Sequence, residues 1–195
     1  MFMSLPLILG STSPFRAEIL QKLCISFDTA APDINESPLA NESPSELVER
    51  LSVCKAKKVA ETHPAALIVG SDQVACVDQQ ILGKPHTHEN AIEQLRFLSG
   101  KIVSFHTGLC LFNSESGNTQ STVEVFKVYF RALTDDQIER YLQNEQPYNC
   151  AGSFKSEALG ISLFKKLEGD DPNTLIGLPL IRLVEFLSNE GLQIP

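Results

Sequence analysis

Several side chains suited to phosphate and metal chemistry stand where apolar runs stop or helices begin. In Ser11-Thr12-Ser13-Pro14-Phe15-Arg16, Ser13 reads as a helix N-cap with proline at the first helical position. Backbone N–H groups at a helix start attract phosphate, and Ser11, Ser13 and Arg16 would add donors. A well-capped helix with a surface arginine would carry the same residues. Asp72 closes the apolar run Ala66-Leu67-Ile68-Val69-Gly70-Ser71. That is expected to put it where a strand meets a polar loop, the place at which open α/β sheets hold ligands. A carboxylate there could hold a divalent cation, activate water, or simply form a turn. Glu36 is a second loop carboxylate. Lys84, in Gly83-Lys84-Pro85, suits either a fixed phosphate contact or a solvent-facing turn. Lys55 lies beside the apolar stripe of a predicted helix, an awkward place for a cation unless it snorkels or meets a ligand. His63, His86, His88 and His106 show no metal-ligand spacing.

The elements that must position these residues alternate in type. Leu5 to Leu9 reads as a buried strand, followed by a helix that buries Ile19, Leu20 and Leu23. A short strand is expected within Ser26 to Ala31, before a loop from Pro32 to Asn41. Ser43-Pro44-Ser45-Glu46 is a capping box, and Leu47, Leu51, Cys54 and Lys58 or Val59 continue its helix. Val74 to Leu82 suggests a hairpin around Asp78-Gln79. Thr87 caps a helix ending at Ser99-Gly100. Two long strands follow, Ile102 to Asn113 and Thr119 to Phe130. Thr134-Asp135-Asp136-Gln137 opens another helix, and Pro179 to Glu190 forms the last. The pattern is that of an α/β protein with a mixed sheet and one extended antiparallel pair.

Composition excludes other classes. The chain has 195 residues, enough for a sizeable core, and its 43% hydrophobic and 21% charged residues are ordinary for a globular protein. A formal net charge of −8 argues against a nucleic-acid surface, which needs clustered Lys and Arg. It does not argue against one small polyanion. Five scattered cysteines without a CxxC fit a reducing, cytoplasmic setting rather than a disulfide framework. Met1 to Pro6 lack the basic stretch of a signal peptide, and no apolar run is long enough to span a bilayer.

Taken in order, Ser11-x-Ser13-Pro14-x-Arg16, Asn35-Glu36, Lys55-Ala56, Gly70-Ser71-Asp72, Gly83-Lys84-Pro85, Leu98-Ser99-Gly100, Thr107-Gly108, Ala151-Gly152 and Gly177-Leu178-Pro179-Leu180 resemble the landmarks of the Maf-type nucleotide pyrophosphatases. The resemblance runs from the first strand to the last helix. It implies a single Maf-like domain over residues 1–195, with the two-lobed mixed sheet, flanking helices and central cleft shared with inosine triphosphatases. It also implies a homodimer that needs a divalent cation, magnesium or manganese, with neither nucleic-acid nor membrane partner. Such an enzyme cuts the bond between the α and β phosphates of a nucleoside triphosphate. By resemblance, Asp72 is the proton acceptor, and Ser11, Arg16, Glu36, Lys55 and Lys84 line the cleft. On chemical grounds Asp72 and Glu36 could ligate the cation or orient the water, with Asp72 acting as base, metal ligand or both. Ser11, Ser13, Arg16, Lys55 and Lys84 then face phosphate.

Three departures point to a branch. The commonest pattern has arginine, threonine and glutamine where this chain has Phe15, Gln73 and Glu157, and it favours dTTP and UTP. The present trio is similar to the branch acting on 7-methyl-GTP. The methyl group makes guanine cationic, which favours stacking on Phe15 by about 0.5–2 kcal/mol. Guanine's N1–H and amine are adjacent donors matching two oxygens of a buried Glu157. The alternatives are the dTTP/UTP preference and a non-catalytic nucleotide-binding regulator of cell division.

Overall fold

Leu7, Ile8 and Leu9 are all buried, and an unbroken apolar run of this kind forms a strand covered on both faces. The computed structural model describes residues 5–78 and 80–195. The expectations for Met1–Ser4, and for Gln79 in the hairpin turn, therefore lie outside the described residues.

The strands are β1 (Leu7–Gly10), β2 (Asp28–Thr29), β3 (Leu67–Val77), β4 (Gln80–Leu82), β5 (Ile102–Asn113), β6 (Thr119–Phe130) and β7 (Phe164–Glu168). The helices are α1 (Pro14–Gln21), α2 (Pro44–Ala60), α3 (His88–Leu98), α4 (Asp135–Glu145), α5 (Pro172–Ile176) and α6 (Leu180–Asn189). They form a mixed seven-stranded sheet of order β2-β1-β3-β5-β6-β7, with β4 on β3, flanked by helices. The chain divides into two compact units. The first comprises the chain through Gln73, Thr107–Glu124 and Asp171–Pro195, and the second comprises Val74–His106 and Val125–Asp170.

In the first unit β1 pairs in parallel with β2 and β3, with Leu9 opposite Val69 and Gly10 opposite Gly70. One core packs Leu7, Leu9, Leu67, Val69, Leu109 and Leu111 against Ile19 and Leu20 of α1 and Leu183 and Leu187 of α6. Another packs Ile8, Ile68 and Cys110 against Ala56 and Val59 of α2. The two cores cover opposite faces of the parallel strands, as the alternation of side chains demands. Two glycines let α2 lie directly on the sheet. A Cβ on Gly70 would come within 2.1 Å of the Ser52 carbonyl oxygen, and one on Gly108 within 2.1 Å of the Val48 carbonyl oxygen. Larger residues would push away the helix that carries Lys55.

The second unit holds β4 antiparallel to the end of β3, with Val77 opposite Gln80, and β7 antiparallel to β6. Phe105, Phe130, Phe154 and Phe164 form an edge-to-face aromatic cluster with ring centroids 5.0–5.6 Å apart. Helices α3 and α4 pack on one another there.

The capping signals act as their residues suggest. Ser43 with Glu46 and Thr134 with Gln137 form reciprocal capping boxes, and Ser13 accepts from the Arg16 N–H. Each such cap contributes about 1 kcal/mol. One expectation is corrected. β3 does not stop at Asp72 but continues through Val77, so Asp72 is an interior strand residue. The apolar Val74, Ala75, Cys76 and Val77 resume the strand pattern, and Lys55 pairs the one carboxylate in it. The short elements β7 and α5 were not anticipated from the sequence.

Candidate active site

Helix α2 delivers Lys55 to strand β3. Lys55 and Asp72 are 5% and 7% exposed, and Lys55 Nζ donates to Asp72 Oδ1 at 2.6 Å. The same ammonium lies 2.8 Å from Oε1 of Glu36, whose side chain is 56% exposed. Lys55 therefore neither snorkels nor stands alone. It pairs with two carboxylates, and its hydrogen bond to Asp72 leaves donors of the ammonium for further acceptors. Among the described residues Asp72 Oδ2 has no hydrogen-bond partner, and it is not a sealed atom. One oxygen of Asp72 is thus anchored and the other is open.

Burial raises the pKa of Asp72 above its ordinary value. Lys55, through charge and hydrogen bond, and then Arg16 pull it down, while Glu36 pushes it up. Arg16, in the first turn of α1, donates from Nε to the Gly177 carbonyl at 2.9 Å and from Nη1 to Ser11 Oγ at 3.4 Å. Burial lowers its pKa, and Asp72 and Glu36 raise it. Its Nη2 has no hydrogen-bond partner among the described residues. Ser11 Oγ also accepts the Ser13 N–H at 3.1 Å, and Ser13 Oγ caps the helix through the Arg16 N–H. The first unit therefore brings together Ser11, Ser13, Arg16, Glu36, Lys55 and Asp72. Two cations stand with two carboxylates beside a helix start, leaving the arrangement near neutrality.

The three residues expected to select the base are placed differently. Phe15 is 43% exposed, so its ring is presented rather than packed into the core. Gln73 is occupied. Its amide nitrogen donates to Thr107 Oγ1 at 2.8 Å and to the Thr174 carbonyl at 2.7 Å. Thr107 donates to the same carbonyl at 3.0 Å, and Ser71 to the Gly177 carbonyl at 2.9 Å. Side chains from β3, β5 and α1 thus satisfy the carbonyls at the end of α5, which helices leave without internal partners. Glu157, in the second unit, is exposed and accepts from the Ser156 hydroxyl at 3.1 Å. The expectation of a buried Glu157 is corrected: its loop carries Ser156, Glu157, Ala158 and Leu159 at the surface or only partly covered. Lys84, exposed after β4, belongs to the same unit. Burial raises the pKa of the Cys150 thiol, with Lys155 opposing it, Glu157 and Glu145 adding to it and Lys84 opposing it.

Sequence reasoning missed Thr107 as a hydrogen-bonding partner, Thr174 and the Gly177 carbonyl. The Thr107-Gly108 and Gly177-Leu178-Pro179-Leu180 landmarks were the available signal. It also missed Arg50 and Glu42, for which no local pattern exists.

The sequence profile described as Maf-like protein matches residues 6–190. The chain belongs to the Maf family. Among its relatives, this Maf chain is 57% identical to the 7-methyl-GTP pyrophosphatase of Colwellia psychrerythraea over 96% of this chain and 94% of the relative. It is 57% identical to that of Nitrosococcus oceani, covering 95% and 93%. With that of Vibrio vulnificus it shares 54% identity, covering 96% of each. Its fold is similar to the HAM1 protein of Coxiella burnetii, with a TM-score of 0.53 at 15% identity, covering 95% of this chain and 99% of that one. The Ham1 protein of Staphylococcus aureus gives 0.55 at 11%, with the same coverage. Among the described residues no helix is long and apolar enough to cross a membrane.

Proposed function

We propose that this Maf-family chain hydrolyses 7-methyl-GTP to 7-methyl-GMP and diphosphate. The observation that carries the reaction is the buried Lys55–Asp72 pair, which fixes one carboxylate oxygen and leaves the other open. Support for the substrate comes from the names of relatives at 54–57% identity over nearly the whole chain.

In this reading a water lies against Asp72 Oδ2 and attacks the α phosphorus. Its proton passes to Asp72, the bond from the α phosphorus to the bridging oxygen breaks, and diphosphate leaves. The raised pKa of Asp72 makes it a better proton acceptor than an ordinary aspartate. Arg16 Nη2 and a remaining donor of Lys55 meet the charge that builds on the phosphate oxygens. Ser11 holds Arg16 in place for this and Ser13 secures the helix start.

Glu36 and Asp72 would suit a divalent cation held jointly with nucleotide phosphates. Magnesium commonly takes only one or two protein carboxylates, with phosphate oxygens and waters completing its shell. Glu36 and Asp72, sharing one ammonium, are such a pair, and among the described residues no group of three His, Cys, Asp or Glu offers a fuller cage. When bound, the cation would neutralise charge on the phosphates.

For base selection, the exposed Phe15 ring offers a stacking face to cationic guanine, and Glu157 offers acceptor oxygens for its N1–H and amine. Gln73 contributes indirectly, by holding the end of α5. Lys84 is assigned to phosphate.

Hydrolysis in ¹⁸O-labelled water, followed by mass spectrometry, tests the reaction. Label in 7-methyl-GMP and none in diphosphate is the expected result. Label in diphosphate, or release of single phosphate, would overturn it.

A further inference from the structure

Glu36 sits in a long connection, residues 30–43, that contains no helix or strand. Loops of this length without structure of their own are either functional or loosely held. This one is held at a second point besides Lys55. Arg50 on α2 grips Glu42 with both ends of its fork, Nε to Oε1 at 2.5 Å and Nη2 to Oε2 at 2.8 Å. Its Nη2 also donates to the carbonyl of Ser37 at 3.2 Å, the residue next to Glu36. Glu42 Oε2 accepts the Leu39 N–H at 2.9 Å, and the Ser37 N–H donates to Asn35 Oδ1 at 2.9 Å. The Glu42 side chain is only 7% exposed. Arg50 and Lys55 are separated by about 7.5 Å of helix rise, so α2 fastens the loop at two well-spaced places.

We infer that Arg50 and Glu42 are positioning residues, a clamp that fixes the Glu36 loop on α2 and so sets where the Glu36 carboxylate stands beside Lys55 and Asp72. The inference rests on Glu36 acting at the proposed site. Planar bidentate geometry is what the clamp needs, and lysine keeps the charge without supplying it. The distinction matters because Arg50 also lends positive charge toward Asp72.

The test combines backbone amide exchange over residues 35–42 with steady-state kinetics on the full chain. Arg50→Ala, Arg50→Lys and Glu42→Ala should each speed exchange in that segment at least tenfold while α2 stays protected. Each should lower kcat/KM by about tenfold, since misplacing a group by about 1 Å costs up to about a hundredfold. The Arg50→Ala/Glu42→Ala pair should lose no more than either single change, because both break one clamp. In a Glu36→Ala background, Arg50→Ala should cost nothing further in kcat/KM yet still speed loop exchange. Full multiplicative losses in that background, wild-type kinetics in Arg50→Lys, or unchanged exchange in Arg50→Ala would each overturn the inference. Exchange is read whatever the chain hydrolyses, so an inactive wild-type chain would refute the proposed reaction while leaving the clamp itself measured.

Discussion

Replacing Lys55 with methionine removes one ammonium from between two carboxylates, and the structure says how unequal the consequences are. Glu36 keeps 56% of its side chain in solvent, so losing its partner should cost no more than about 1 kcal/mol. Asp72 is 7% exposed and has no other hydrogen-bond donor among the described residues. Breaking a buried pair from one side costs about 3–5 kcal/mol, and the open Oδ2 reduces that to about 2–3 kcal/mol here. With a urea dependence of about 2 kcal/mol per molar, the unfolding midpoint should fall by about 1 M near neutral pH. The pH dependence has a definite sign. Burial already holds the Asp72 pKa above 3.8, and Lys55 is the main influence lowering it, so its removal raises that pKa further. Between the unfolded and folded values the folded chain binds more protons, and stability falls as pH rises through that window. The deficit of Lys55→Met should therefore shrink as pH is lowered from about 7.5 towards about 5. Adding Asp72→Asn should recover most of it. The assay is urea unfolding at both pH values. A variant within about 0.5 kcal/mol of wild type near neutrality, or a deficit insensitive to pH, would refute the reasoning.

Other expectations follow from the same geometry. Asp72→Asn should lower kcat at least about a hundredfold while nucleotide still binds, as calorimetry would show; near-normal turnover would remove Asp72 from the chemistry. The acid limb of kcat/KM should lie above the ordinary carboxylate value, because activity needs ionised Asp72 and is lost as pH falls through its raised pKa. Residual activity of Lys55→Met should show that limb moved further up, and an unmoved limb would mean another group titrates. Phe15→Ala should narrow the preference for 7-methyl-GTP over GTP, tenfold for each ~1.4 kcal/mol of lost stacking. Glu157→Gln should narrow the preference over pyrimidines, and by less than a buried carboxylate would require, since Glu157 faces water.

The sequence made the elements legible wherever a local pattern had one physical cause. The Ser43 and Thr134 capping boxes marked α2 and α4, and the two long strand-like runs gave the extents of β5 and β6. What escaped were features decided by tertiary contacts. Asp72 looked like a strand end because it is polar, yet a cation supplied by α2 lets β3 run on through it. Gln73 was legible as a departure from the common pattern, but its hydrogen bonds to the Thr107 hydroxyl and to the Thr174 carbonyl, a hundred residues away in sequence, were not. Arg50 and Glu42 carried no signal at all, since nothing local reveals a bidentate clamp. The polar positions around Asp72 were legible only as an ordered set; their distances were not.

Specificity constants for 7-methyl-GTP, GTP, dTTP and UTP, measured by diphosphate release with magnesium or manganese, decide whether this chain acts on 7-methyl-GTP. The expected order has 7-methyl-GTP with the highest kcat/KM, GTP next and both pyrimidines lowest. A pyrimidine nucleotide turned over more efficiently than 7-methyl-GTP, or no diphosphate from any of the four, would contradict it.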